Sequence, residues 1–571
     1  MHQGSEHARY GDYTWLIICC ILSSIYCLFT ATHTGPTCDE PGYVVLGVEA
    51  WRLGSSGLIT RMGTMPLPID VTTLPLHILE LIRGRRIDPC QEFDTMLMVA
   101  RAGTLVFWWA VLVYGWKAGC SLAGRWGGRL AVILLACEPA LLAHASLATT
   151  DVAITACMLA LVYHFREGRT SGWRLRVGVP SVLFGLALLS KASAVVMGPF
   201  CMFIVELDRL AQNKVFIIQP KDRVVQFLQR SASELSPFYN DLKQIFGLGF
   251  LFMLVYCGSD WQPEASFVAW AKTLPHGALA SVMVYTAEHL RIFNNGAEGI
   301  IRQIKHNNVG HGVFIAEKTD PRALWYYFPV ALTMKLTASA LMLPVVVALL
   351  KPKALWNWMT VLTGALILFS VTFRVQIGIR LILPLVAFFI TGVSGAAVNM
   401  VKALDLGWQK RTAIMALTGC VLWAALSSLL VWPNALCYFN ELWGGTAEGY
   451  KLLSDSNYDW GQGLRELRQW QERNDIKDLD VWYFGSDPDM QKGPFHPVTI
   501  GDEHFEGPDD FAARFKGRYL AVSTTNLYGG YYIENPKKGQ HIEKEALVAI
   551  HCLKSMQPFA RTTTFLIYHF K

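Results

Sequence analysis

The chain has 571 residues, of which 52% are hydrophobic and only 16% charged. That is too apolar for a soluble protein of this length. The net charge of +6 and pI near 8.6 fit basic cytoplasmic loops of a membrane protein and do not argue for nucleic acid.

Apolar segments predict spans at residues 13–31, 96–116, 130–143, 147–165, 177–189, 192–207, 244–257, 324–350, 356–373, 381–400 and 412–432. That makes about eleven, measured against roughly 20 residues per crossing. The third, fifth, sixth and seventh fall short of that length. The first has no cleavage pattern and reads as a retained span. Basic residues follow the second, fourth, eighth and tenth segments and precede the seventh (Lys117, Arg125, Arg166, Arg169, Lys351, Lys402 and Arg209 among them). They share one side only if residues 177–207 cross twice, breaking at Ser190-Lys191, which sets the N-terminus in the cytoplasm. Residues 32–95, 258–323 and everything after 432 are then external. Stretches 43–53 and 73–83 carry mixed helical spacing and suit surface helices. The tail turns polar and aromatic. A helix is expected over 461–474 and strands over 480–484, 518–524 and 562–570. The fold class is therefore mainly α, a polytopic membrane domain over 1–432 with a small extracytoplasmic α/β domain over 433–571.

Asp39 and Glu40 follow the first span in Thr37-Cys38-Asp39-Glu40-Pro41-Gly42. Asp before Pro and Gly reads as a helix cap. Two acids at a lipid surface also suit removal of a hydroxyl proton beside a lipid-borne substrate. Cys38 and Cys90 share this loop, either as a disulfide or as free thiols. Asp151 starts the fourth span, at the positive end of its helix dipole, on the same face as Asp39. Lys191 interrupts an apolar stretch, where it snorkels to the interface or holds a phosphate. His306, His311 and Lys335 frame a Gly-bearing polar stretch whose spacing suits a substrate loop better than a metal. Arg374 and Arg380 run against the charge bias on the external side. A guanidinium there anchors a headgroup or grips a lipid phosphate with its fork.

Taken in order, several runs resemble the GT-C superfamily of membrane glycosyltransferases, and within it glycosyltransferase family 39. That family contains the protein O-mannosyltransferases and the aminoarabinose-to-lipid-A transferases. The runs are Asp39-Glu40, Leu142-Ala143-His144 through Thr150-Asp151, Gly310-His311-Gly312 before Trp325-Tyr326-Tyr327-Phe328-Pro329, and Gly378-Ile379-Arg380-Leu381 through Pro384. The tail adds Tyr438-Phe439-Asn440-Glu441 and Asp455-Ser456-Asn457-Tyr458-Asp459-Trp460-Gly461-Gln462. The chain departs from the family pattern at Leu381 and at Ser190-Lys191-Ala192, where relatives often carry an aromatic residue (or, after the Arg, a His).

The resemblance implies a sugar donor carried on a polyprenyl phosphate and transfer to a hydroxyl acceptor on the extracytoplasmic face, with inversion. Asp39 would be the general base, Glu40 its support or an acceptor contact, and Asp151 the completion of the acidic cleft. Lys191 and Arg380 would hold the departing phosphate, with His144, His311 and Arg374 as further substrate contacts. The implied acceptor is a lipid, a protein or a glycan, and the implied setting is a bacterial inner membrane. No cofactor is implied, and a divalent metal is not expected. A lipid-linked glycan ligase of the same architecture and a transporter or flippase of lipid-linked sugars stand as alternatives. A transporter should show paired halves, and no internal repeat is visible in the sequence.

Overall fold

The computed structural model describes residues 2–215, 224–292, 294–502, 504–530 and 544–571. The chain forms two compact units. One comprises Met1–Pro41, Asp88–Leu159 and His306–Lys571; the other comprises Gly42–Ile87 and Ala160–Lys305.

In the first unit, the helical segment Pro89–Ala136 turns back on itself at Ala123 and Gly124, with Gly124 at φ +70°. The second and third expected spans are thus one helical hairpin. Its arms touch through glycine: a Cβ on Gly119 would lie 2.7 Å from the carbonyl oxygen of Gly127. Small residues permit such backbone approach where apolar surroundings give helices little else to associate by. Leu383–Lys402 is buried along nearly its whole length and packs on this hairpin. The third expected span ends early. Its helix stops at Ala136, and Pro139 starts the short helix Pro139–Ala145, because proline suits a first helical turn and not an interior.

Among the described residues, four helices are long and apolar enough to cross a membrane: Gly11–His33, Pro89–Ala136, Ile379–Lys402 and Gly407–Val431. A fifth is gained if Tyr327–Lys335 and Ala338–Leu350, bent by 105°, form one span. Other expected spans, such as residues 177–189 and 356–373, form shorter helices, Val179–Ser190 and Trp358–Ser370.

The tail carries the expected sheet. After a hairpin of β1 (Val313–Ile315) and β2 (Lys318–Asp320) come β3 (Leu479–Trp482), β4 (Phe495–Pro497), β5 (Tyr519–Ser523), β6 (Ala560–Arg561) and β7 (Phe565–His569). The last five form one mixed sheet in the order β4-β3-β5-β7-β6. Strand β3 runs parallel to β4 and β5, and β7 antiparallel to β5 and β6. Helix Leu464–Arg473 lays Leu464 and Leu467 onto a core with Leu479, Val481, Ala521 and Ile567.

In the second unit, residues 177–207 form two helices, Val179–Ser190 and Ala194–Gln212, broken at Lys191 as charge suggested. The surface-helix stretches lie within Glu40–Leu53 and Pro66–Arg83. Arg169 is buried between Glu206 at 2.9 Å and Asp241 at 2.8 Å.

Candidate functional site

The first span ends at His33, and residues 34–39 form a loop leading into helix Glu40–Leu53. Thr37-x-x-Glu40 closes on itself. The Glu40 N–H donates to the Thr37 carbonyl at 3.2 Å, and the Thr37 N–H donates to Glu40 Oε2 at 2.9 Å. The second bond is the side-chain half of a capping box, and the first is a backbone turn. Arg101, from Pro89–Ala136, then grips Glu40 with both arms of its fork, at 2.8 and 2.7 Å. The same guanidinium donates to the carbonyls of Ala31, Thr34 and Gly35. The Ala148 N–H adds a further bond to Glu40 at 2.8 Å. Both side chains are fully buried. Burial pushes the Glu40 carboxyl up, but Arg101 and the backbone N–H groups outweigh it and hold it below the ordinary range. Both oxygens of Glu40 are thus engaged in fixing the loop.

That fixed loop presents Asp39. Its Oδ2 accepts from Arg380 Nη1 at 2.9 Å, and Asp151 Oδ2 lies 4.0 Å from the same nitrogen. Asp151 opens helix Asp151–Gly168 and is fully buried, with Thr149 Oγ1 donating to its carboxylate at 3.3 Å. Asp39 is the accessible partner, its side chain 31% exposed against 10% for Arg380. Two acids far apart in the chain, Asp39 and Asp151, therefore converge on the one guanidinium of Arg380.

The tail supplies the fourth side. Arg380 stacks on Trp460, its Cζ 4.0 Å from the ring centroid. Asn457 accepts the Ile379 N–H at 3.1 Å and donates to the Tyr327 hydroxyl at 2.8 Å. Two backbone bonds tie residues 34–40 to the same segment: Cys38 N–H to the Trp460 carbonyl and Gly35 N–H to the Gln462 carbonyl, each 2.9 Å. Asp455 and Asp459 are buried here. Burial lifts both carboxyls to about 7, with Arg380 opposing the rise at Asp455 and N–H groups of Thr525 and Gly461 opposing it at Asp459. Lys335, which the sequence grouped with the histidines, is buried instead among the carbonyls of Leu436, Tyr438 and Asn457 at 2.9, 2.6 and 2.6 Å.

His144 is buried in Pro139–Ala145. The His311 ring stacks on His306 with centroids 5.9 Å apart, and Arg374 is exposed, its N–H donating to Asn307 at 3.4 Å. Lys191 belongs to the second unit, at the end of Val179–Ser190. Cys38 and Cys90 are free thiols. Sequence reasoning missed Arg101 and gave Asp455, Asn457, Asp459 and Trp460 no role. A signal for Arg101 existed: a lone arginine inside an apolar segment requires a partner.

The chain matches no protein-family model and no curated protein sequence. Among solved structures it is similar to ArnT from Cupriavidus metallidurans bound to undecaprenyl phosphate, at 12% identity and TM-score 0.44 over 97% of each chain. It is also similar to the apo oligosaccharyltransferase of Archaeoglobus fulgidus, at 10% identity and TM-score 0.46, over 92% of this chain and 71% of that one. Both TM-scores lie below 0.5, so neither likeness decides the chemistry.

Proposed function

We propose that this is an integral membrane glycosyltransferase that moves a sugar from a polyprenyl-phosphate donor to a hydroxyl acceptor. The observation that carries the reading is the convergence of Asp39, Asp151 and Arg380. A partly exposed carboxylate beside a guanidinium offers what the reaction needs. The acceptor oxygen must lose its proton as it attacks the anomeric carbon, and the departing phosphate must be neutralised as the sugar–phosphate bond breaks. Asp39 takes the proton, and Arg380 meets the phosphate with its fork. At rest the two pair with each other. An arriving phosphate competes for the guanidinium and frees the Asp39 carboxylate to take the acceptor's proton. Asp151, buried behind them, keeps Arg380 in position. Glu40, with both oxygens engaged, acts by holding the loop. Lys191, His144, His311 and Arg374 remain proposed substrate contacts, inversion the proposed stereochemistry, and the extracytoplasmic face the proposed side.

The test uses purified protein with a labelled polyprenyl-phosphate sugar and a panel of hydroxyl acceptors. Donor consumption is expected. Asp39→Asn should lower it by ~10²–10⁴-fold, the usual scale of general-base catalysis, while the variant still folds. Near-normal turnover in the variant would remove Asp39 from its role. Donor carried across a vesicle bilayer without being consumed would point to a transporter.

A further inference from the structure

We propose that the tail segment Asp455–Trp460 is part of the phosphate subsite, with Trp460 and Asn457 as the positioning residues that hold Arg380 for a lipid phosphate. This rests on the glycosyltransferase reading and extends it to residues for which the sequence offered no role.

Arg380 sits in the short turn Ile379–Ile382, which is too brief to orient a long side chain by itself. Two contacts from the tail do so. The Trp460 ring lies under the guanidinium at 4.0 Å, and the indole is only 2% exposed, wedged among Ala143, Leu147, Ala435 and Leu436. A buried aromatic face holds a guanidinium plane by cation–π attraction and stacking, and leaves the edge N–H groups to point sideways. Nη1 on that edge is the nitrogen that meets Asp39 and Asp151. Asn457 fixes the backbone beneath. It accepts the Ile379 N–H at 3.1 Å, and its own carbonyl is held by the buried Lys335 ammonium at 2.6 Å. Gly378 completes the joint, since a Cβ there would lie 2.2 Å from the Ser456 hydroxyl. The guanidinium is thus packed over the Trp460 ring on one side and anchored from its backbone, both by the same stretch of tail. Bidentate capture of a phosphate depends on that fixed plane.

The experiment titrates undecaprenyl phosphate into the purified full-length protein in detergent and follows thermal stabilisation, alongside donor kinetics. Trp460→Leu replaces the aromatic face with a smaller apolar side chain. It is expected to weaken binding about tenfold, a loss on the scale of a partly desolvated cation–π contact. Donor KM should rise in parallel, with kcat changed less. Trp460→Phe keeps a ring and should retain most of the affinity. Asn457→Ala should weaken binding in the same sense and serves as the test if Trp460→Leu does not fold. A merely structural role would lower the folded fraction and leave affinity and KM of the folded protein unchanged. Wild-type affinity in folded Trp460→Leu, or equal loss in Trp460→Phe, overturns the proposal. Trp460-dependent binding in a protein that never transfers sugar would sink the glycosyltransferase reading and leave this one standing. Wild-type protein that binds no undecaprenyl phosphate would end both.

Discussion

Glu40 and Arg101 form a bidentate pair with no exposed surface, so each is costly without the other. Removing one partner of such a pair typically costs about 3–5 kcal/mol, because a buried charge is left uncompensated. Arg101→Met should therefore lower the unfolding midpoint sharply, and Glu40→Gln/Arg101→Met should recover part of the loss. A single variant as stable as wild type would contradict the pairing. Asp459 titrates in the opposite sense from a paired acid. Burial raises its carboxyl from 3.8 to about 7 in the folded chain, so between those values the folded state binds more protons than the unfolded one. Its contribution to stability is complete below about 3.8 and is lost as pH rises to about 7. Asp459→Asn has no such titration. Its unfolding midpoint relative to wild type should climb as pH is raised from 4 to 8, and a pH-independent difference would refute the assignment. Of these residues, the sequence made Glu40 legible only as half of the acid pair Asp39-Glu40 after the first span. Asp459 was visible only as one letter of a polar run.

At the scale of elements, the joint between Ile379–Ile382 and the turn Asp455–Asn457 is the most sensitive. Gly378 adopts φ +148°, and a Cβ would press on Ser456, whose hydroxyl donates to the Ile377 carbonyl. Gly378→Ala must shift one chain against the other. It should lower the unfolding midpoint and raise donor KM together, measured on the same preparation; a wild-type KM would show that the joint does not set Arg380. The helices themselves were readable where apolar length and charge agreed, as at Gly407–Val431 and in the break near Lys191. A continuous apolar run can also hide a corner. Residues 324–350 look like one span, but the helix ends at Lys335 and resumes at Ala338 with a bend of 105°. Lys335 turns inward to the carbonyls of Leu436, Tyr438 and Asn457. Hydropathy sums composition and does not see which backbone groups compete for a side chain.

Across the whole chain, the tail is bound into the site, since residues 455–462 carry Trp460 beneath Arg380 and clamp residues 34–40 through two backbone hydrogen bonds. A chain ended at residue 432 should lose both donor turnover and thermal stability, assayed in detergent beside the full protein; retained turnover would show that the tail is dispensable. The sequence by itself determined the apolar, helix-rich character of the chain, the strands and helix of the tail, and the acids and arginine worth testing. These follow from composition, periodicity and local spacing, which act over a few residues. Only the tertiary structure decided that Asp39, Asp151 and Arg380 meet and that Arg101 neutralises Glu40. It alone set Trp460 beneath the guanidinium and Asn457 on the Ile379 backbone beside it, with Asp455 buried close by. Such pairings join residues tens to hundreds of positions apart. They exist because a buried charge must find a partner wherever the packed chain brings one within reach, and no local pattern encodes that partner.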